Sequence, residues 1–283
     1  IALASGAPLF SGIIAGIVGG LVVAAISSSA LGVSGPGAGL AVLVLLAIEE
    51  LGSFEVFLFA VIISGFLQLL LGFLKAGVIR YYFPSSVIKG MLVGIGLVIM
   101  LKQLPHMVGY DGRQETHSAF LQGLNLGASI ISFCALLILI GWDYLAQKRE
   151  SLRLVPGALV AVSIGTFLGW MLQKFDITSM QAEQFVNIPL MSSVNQFFEQ
   201  LYRPDFSQWQ NSKVYVVALT LAVVASLETL LCLEATDNLD PKGRVASPNR
   251  ELIAQGCGNI VSGFAGGLPV TQVIVRSSAN IHA

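Results

Sequence analysis

Charge is what this sequence lacks. Of 283 residues only 11% are Asp, Glu, Lys or Arg, against roughly 25% in a soluble domain, so the chain cannot cover a water-facing surface. Fifteen basic and 16 acidic side chains leave a net charge of −1, so there is no basic field to hold nucleic-acid phosphates. The shortage of polar residues excludes a disordered chain as well. Cysteine is scarce: Cys134, Cys232 and Cys257 lie in or beside apolar runs, read as small apolar fillers, and are expected to form no disulfide. The apolar runs do not alternate with polar residues, which argues against a β-barrel. In abundance are hydrophobic residues, 55% of the chain, and glycine, 30 in all. That combination describes closely packed transmembrane helices, since small residues let backbones approach where no hydrophobic effect holds helices together.

A spanning helix needs about 20 mainly apolar residues. Candidates are Phe10 to Ser27, Val56 to Leu74, Ser86 to Leu104, Leu126 to Leu145, Leu154 to Leu172, Val214 to Leu233 and Leu252 to Phe264. In the first, Gly12, Gly16 and Gly20 form two overlapping GxxxG steps, which predicts one packing face. Basic residues recur on every second loop: Lys75 and Arg80, then Lys148, Arg149 and Arg153, then Lys242, Arg244 and Arg250. The intervening loops, around Asp111 to Glu115 and Asp176 to Asp205, are mixed. The positive-inside rule therefore puts the basic loops in the cytoplasm. Trp142, Trp170, Trp209, Tyr81 and Tyr82 lie near span ends and suit an interfacial belt. Gln68, Ser64 and Ser132 are expected to hydrogen-bond between helices. The chain opens in mid-apolar sequence at Ile1 and stops soon after a new apolar stretch begins, so a fragment of a longer protein is expected.

Two segments break the pattern. Leu31 to Gly39 is rich in Gly with one Pro, and the apolar run after it, Leu40 to Ile48, is too short to cross a bilayer. Gly263 to Pro269, followed by Val270 to Ser278, has the same grammar. Each reads as an extended stretch entering a half-helix, and such a pair is the mark of an inverted-repeat transporter. Two half-helix N-termini that meet would aim free N–H groups and positive dipole ends at one point, creating an anion site. Ser34 can donate a hydroxyl there and Gly37, Ala38 and Gly39 bare the backbone; Thr271 and Gln272 are further donors. Arg276, inside an apolar helical run, is expected to face the bundle interior and to add a positive field. Glu228 sits within Val214 to Leu233, where a carboxylate is by default a candidate for cation or proton coupling, or a partner for Arg276. Glu234, Asp237 and Asp240 at the end of that run, and Glu49 and Glu50, are expected to face water. His106, His117 and His282 share no metal-ligand spacing, so neither metal nor cofactor is implied.

The runs Gly32 to Leu40, Phe83 to Gly96, Ser226 to Leu231 and Gly266 to Ser277 resemble, in order, those of the sulfate permease (SulP) family of inorganic anion transporters. The resemblance implies a transport domain of fourteen segments in two inverted repeats, a core moving against a gate, and often a cytoplasmic STAS domain. Residues 1–283 would then run from the end of segment one to segment ten. It also implies an anion held between the starts of segments three (Ser34 to Gly39) and ten (Val270 to Arg276), a homodimer, and a place in the bacterial inner membrane. Sodium-coupled bicarbonate members use an acidic residue where Glu228 stands. Gln272, Val273 and Ile274 replace the small and hydroxyl residues of those members, which leaves sodium coupling and bicarbonate open beside sulfate, chloride and protons.

The fold class is therefore an all-α polytopic membrane protein with two half-helices preceded by short strands, and the function secondary transport of a small inorganic anion by alternating access. Two alternatives remain at this point. One is a proton-coupled nucleobase transporter of the same architecture, with Gln272 as the second group on a planar base. The other is an intramembrane serine protease built on Gly32-Val-Ser-Gly35, which would need a general base.

Overall fold

The computed structural model describes residues 1–82, 85–109, 125–148, 157–175 and 201–282. Arg149, Arg153, His117 and the Asp111 to Glu115 loop lie outside them. The helices are α1 (Leu9–Ile26), α2 (Ala41–Leu51), α3 (Phe54–Phe73), α4 (Ser85–Met107), α5 (Leu126–Lys148), α6 (Gly157–Lys174), α7 (Ser212–Leu239), α8 (Pro248–Ala265) and α9 (Ile274–His282). Two three-residue strands, β1 (Ser34–Pro36) and β2 (Val270–Gln272), precede α2 and α9. Four of the described helices, α1, α3, α6 and α7, are long and apolar enough to cross a membrane. With the others they make a mostly helical, multi-pass membrane protein in which two short helices follow strands.

The chain divides into two compact units, residues 1–95 with 188–283, and residues 96–187. In the second, α5 and α6 pack through Gly165 and Gly169, whose bare faces meet Ile131. The first unit carries both half-helices.

Within the first unit the largest helix contact is that of α3 with α8. It is a glycine seam. A side chain at Gly65 would stand 2.8 Å from the Gly256 carbonyl oxygen, and one at Gly256 equally close to the Gly65 carbonyl. Seven residues on, Gly72 meets Asn249, while Gly263 meets Leu58 and Ile62. A rise of seven on one helix matches a fall of seven on the other, so the pair is antiparallel and backbones touch every second turn.

Helix α1 departs from its GxxxG expectation. Positions Gly16 and Gly20 face open space; Gly19 is the packing glycine, because a Cβ there would overlap the Ser34 carbonyl and stand 2.8 Å from the Gly35 nitrogen. A π-helical turn follows over Gly19–Val23. Gln68 does bridge helices, donating to Ser226 and accepting from Asn259. Ser64 instead donates to Val61 of its own helix at 2.7 Å. Glu49 and Glu50 are exposed, as expected of them.

Asp237 departs from the solvated role assigned to it. Its carboxylate pairs at 3.0 Å with Arg80, which is only 4% exposed in the 3-10 turn Ala76–Tyr82. It also accepts from the Ala246 N–H. The turn crosses the end of α7, and the pair replaces the water each charge would otherwise need. Asp240, just past α7, is also covered, its side chain only 4% exposed. The Arg244 guanidinium donates to it at 2.7 Å and holds its carboxyl down to about 2.

Candidate half-helix site

The two strands run antiparallel, with Ser34 opposite Gln272, Gly35 opposite Thr271 and Pro36 opposite Val270. The pairing extends one residue further, since Val273 N–H donates to Val33 O at 2.9 Å and Ser277 Oγ accepts from Val33 N–H. Extended backbone with polar groups survives at membrane depth only where protein or a hydrated cavity satisfies it. Helix α8 does that here. The Asn259 carboxamide accepts from Val270 N–H at 2.6 Å and donates to Val270 O at 3.1 Å, as a neighbouring strand would, and Ser262 donates to Leu268 O. This places the second extended stretch at Val270–Gln272 rather than at Gly263 to Pro269, where Gly266, with φ 80°, ends α8 instead. The β-branched pair Val270-Thr271 favours extension, and α9 starts only at Ile274.

Side chains alternate on the strands, and this divides the expected site residues into two groups. Gly35, Gly37 and Thr271 share one face. A Cβ at Gly37 would overlap Thr271 Oγ1 and stand 3.2 and 3.3 Å from the two Glu228 oxygens. Glu228, 8% exposed, lies against the Gly39 backbone at the start of α2. One turn further along α7, Cys232 lies against the Ile274 backbone at the start of α9. A single helix therefore presents one side chain to each half-helix N-terminus. Ala38, Gly39, Val273 and Ile274 form a half-buried rim, and Arg276 lies exposed beyond it. The guanidinium lies where a Gly35 side chain would be.

Ser34 and Gln272 are turned elsewhere. Ser34 Oγ accepts from Gln255 of α8 at 2.7 Å, and Gln272 donates to Thr236 of α7 at 3.1 Å. The structure thus brings together Gly37, Thr271 and Glu228, keeps Ala38, Gly39, Val273 and Ile274 at the rim with Arg276 exposed beyond it, and points Ser34 and Gln272 into the protein. Arg276 is not buried against a partner, as its apolar surroundings had led us to expect. Among the described residues the ion pairs are Arg80 with Asp237 and Arg244 with Asp240, so Glu228 and Arg276 do not neutralise each other.

The convergence leaves buried groups without partners. Thr271 Oγ1 and Glu228 Oε2 make no hydrogen bond among the described residues, and neither does Gln272 Oε1 on the other face of the strands. Each such group costs about 1–3 kcal/mol if it stays dry, so the position between the two N-termini is built for something polar. Added to it are the positive dipole ends of the two half-helices; at α2 the Leu40 and Ala41 N–H groups already donate to the Gly37 and Ala38 carbonyls.

Cys232, read from sequence as a filler, and Thr229 and Thr236, not singled out, belong to this site's support. Glu228, Cys232 and Thr236 recur every four residues, a spacing that puts them on one face of α7. The same period on α8 joins Glu251, Gln255 and Asn259, none of them selected from sequence.

Comparison with known proteins gives one consistent family. The chain is 27% identical to a putative sulfate transporter of Bacillus subtilis, YvdB, over 99% of this chain and 52% of that protein. It is 24% identical to the bicarbonate transporter BicA of a Picosynechococcus species, over 79% of this chain and 38% of that one. It therefore spans about half or less of the curated relatives it matches. Its fold matches the transmembrane domain of a cyanobacterial bicarbonate transporter BicA with a TM-score of 0.76 at 22% identity, covering 99% of this chain and 71% of that domain. The profile of the sulfate permease family matches residues 1–283 throughout, and the chain belongs to that family.

Proposed function

We propose that the protein to which this chain belongs carries a small inorganic anion, sulfate ahead of bicarbonate or chloride, across the bacterial inner membrane by alternating access. Residues 1–283 are then part of its transport domain, from the end of segment one to segment ten of about fourteen, and the protein works as a homodimer. The observation that carries this reading is the meeting of two half-helix N-termini over a bare, glycine-lined backbone with unpartnered polar atoms beside it. Helix N-termini attract anions through free N–H groups and the aligned dipole. Arg276 at the rim supplies the mobile positive charge that draws an anion in.

Glu228 has a separate role. A carboxylate at the Gly39 N-terminus competes with an anion for the same N–H groups unless it is neutralised. A proton or Na⁺ taken up on Glu228 removes that competition, and this couples cation to anion as symport. Family relatives named for sulfate and for bicarbonate both fit this chemistry. The nucleobase alternative loses support because Gln272, its second recognition group, is turned to the face away from Gly37 and Thr271, with its amide N–H on Thr236. In the protease alternative Ser34 would have to be an activated nucleophile, but its oxygen instead accepts from an amide.

The test is uptake of sulfate, bicarbonate and chloride by the complete protein in proteoliposomes, with and without Na⁺ and a pH gradient. Arg276→Ala is expected to raise KM about tenfold or more, the loss of one charged contact, with membrane insertion unchanged. Unchanged kinetics would remove Arg276 from the site. Wild-type vesicles that take up none of the three anions would overturn the reading.

A further inference from the structure

A second buried carboxyl lies outside the half-helix site. Glu251 of α8 is 1% exposed and sits beside the segment that leads from α1 into β1. One of its oxygens meets Ser27 Oγ, and the other accepts from Gln255 Nε2 at 3.0 Å. The same Gln255 nitrogen donates to Ser34 Oγ at 2.7 Å. One amide group, with its two N–H bonds, thus ties the carboxyl to the strand that enters the anion-binding half-helix. The Gln255 oxygen is left buried without a partner among the described residues, which shows what fixes the amide's direction: turned over, it would set oxygen against Glu251.

No cation is in ion-pair contact with Glu251 among the described residues. The charged groups around it are Asp237 of α7 and Arg250 of α8 itself. Asp237 is already paired with Arg80 from the neighbouring turn, and Arg250 Nε is committed to the Ile26 carbonyl at 2.7 Å. Helix α1, β1 and β2 carry no ionisable side chain, and the one on α3, Glu55, lies at the opposite end of the antiparallel α3 and α8 pair. An ionised carboxylate in such a place costs so much solvation that it takes up a proton instead. A route for the hydrogen bond to reverse is present. Ser27 Oγ accepts from Ser29 N–H and can either donate to Glu251 or receive its proton.

We propose that Glu251 is a second proton-binding residue of this transporter, separate from Glu228, and that its protonation reaches the anion site through Gln255 and Ser34. When the carboxylate takes a proton on the oxygen facing Ser27, that O–H donates to Ser27 Oγ. The oxygen facing Gln255 then accepts as a neutral carbonyl, and the charge-assisted bond becomes an ordinary one. The protein also loses a negative charge from beneath β1, so an anion binds more readily. By linkage, anion binding favours the protonated carboxyl to the same degree. The inference rests on the anion reading above.

Sulfate Kd of the complete protein, measured by calorimetry from pH 5.5 to 8.5, tests it. Each coupled proton makes binding up to about tenfold tighter per pH unit as pH falls. Glu228→Gln is expected to keep part of that slope, Glu251→Gln to lose part, and the double variant to be nearly flat. Gln255→Leu keeps the carboxyl and its charge but cuts the connection, and is expected to lose the share of that slope carried through Ser34; it serves if Glu251→Gln fails to fold. A wild-type slope in Glu251→Gln, or in a folded Gln255→Leu, overturns the proposal, as does complete loss of slope in Glu228→Gln alone. If wild type binds no sulfate, bicarbonate or chloride, the transport reading has failed instead. The proton itself is then read by infrared difference spectroscopy, as a carboxyl C=O band that must vanish in Glu251→Gln.

Discussion

Thr271 illustrates how a single side chain can be wrong for stability and right for binding. Its hydroxyl is fully buried, faces Gly37 and Glu228, and has no partner among the described residues. A methyl in its place removes an unsatisfied group of nearly the same shape, which is neutral or stabilising. We therefore expect Thr271→Val to raise the stability of the complete protein by about 1 kcal/mol while weakening sulfate binding about five- to tenfold. Thermal unfolding in detergent and sulfate calorimetry check both halves. A variant that binds sulfate as wild type does would place Thr271 outside the site. Residue types alone put Thr271 and Gln272 in the same role, because both can donate. The alternation of β2 separates them, and that alternation was hidden from sequence because Val270 to Ser278 reads as one apolar helical run. Glu228 was legible because a carboxylate in a span is conspicuous. Cys232 was not, since a thiol among leucines carries no sign of the backbone group it faces.

At the scale of elements, spans and half-helices were readable from hydropathy and from Gly and Pro. What joins them was less so. In α1 the glycine that packs is Gly19, which lies outside the Gly12, Gly16, Gly20 spacing and is betrayed only by the backbone of β1 that it meets. The consequence is a sharp contrast between neighbours. Gly19→Ala pushes a methyl into the backbone of Ser34 and Gly35, whereas Gly20→Ala meets nothing within 4 Å. Overpacking of this kind costs about 1–3 kcal/mol, so Gly19→Ala should lower the melting temperature and displace β1, and Gly20→Ala should do neither. Equal melting temperatures for the two variants would show that the close approach of Gly19 to β1 is not retained in the membrane. Helix α8 was also under-read. Its residues Glu251, Gln255, Asn259 and Ser262 look like a mildly polar span, yet together they hold β1, β2 and the Leu268 carbonyl. A polar stripe of helical period in a membrane helix was the available signal.

At the scale of the whole molecule, the scarcity of charge becomes topology. Helix α7 has 28 residues and is about 42 Å long, more than the roughly 30 Å hydrocarbon core of a bilayer, which is long enough for its two ends to lie on opposite sides. Its start is marked by Trp209 and Asn211 and follows the mixed loop; its end leads to Lys242, Arg244 and Arg250. Of the basic residues beyond α7, Arg244 is partly spent on Asp240 and Arg250 on the Ile26 carbonyl, but the positive-inside rule counts Lys and Arg rather than net charge. The rule therefore still places the Lys242 end in the cytoplasm and the Trp209 end outside. In intact cells carrying the complete protein without its native cysteines, Gln208→Cys should react with a membrane-impermeant maleimide. Lys242→Cys should react only after the cells are opened. The reverse pattern would invert every segment assigned here, and with it the side from which Arg276 first meets the anion. Labelling of both positions in intact cells would mean that α7 does not span.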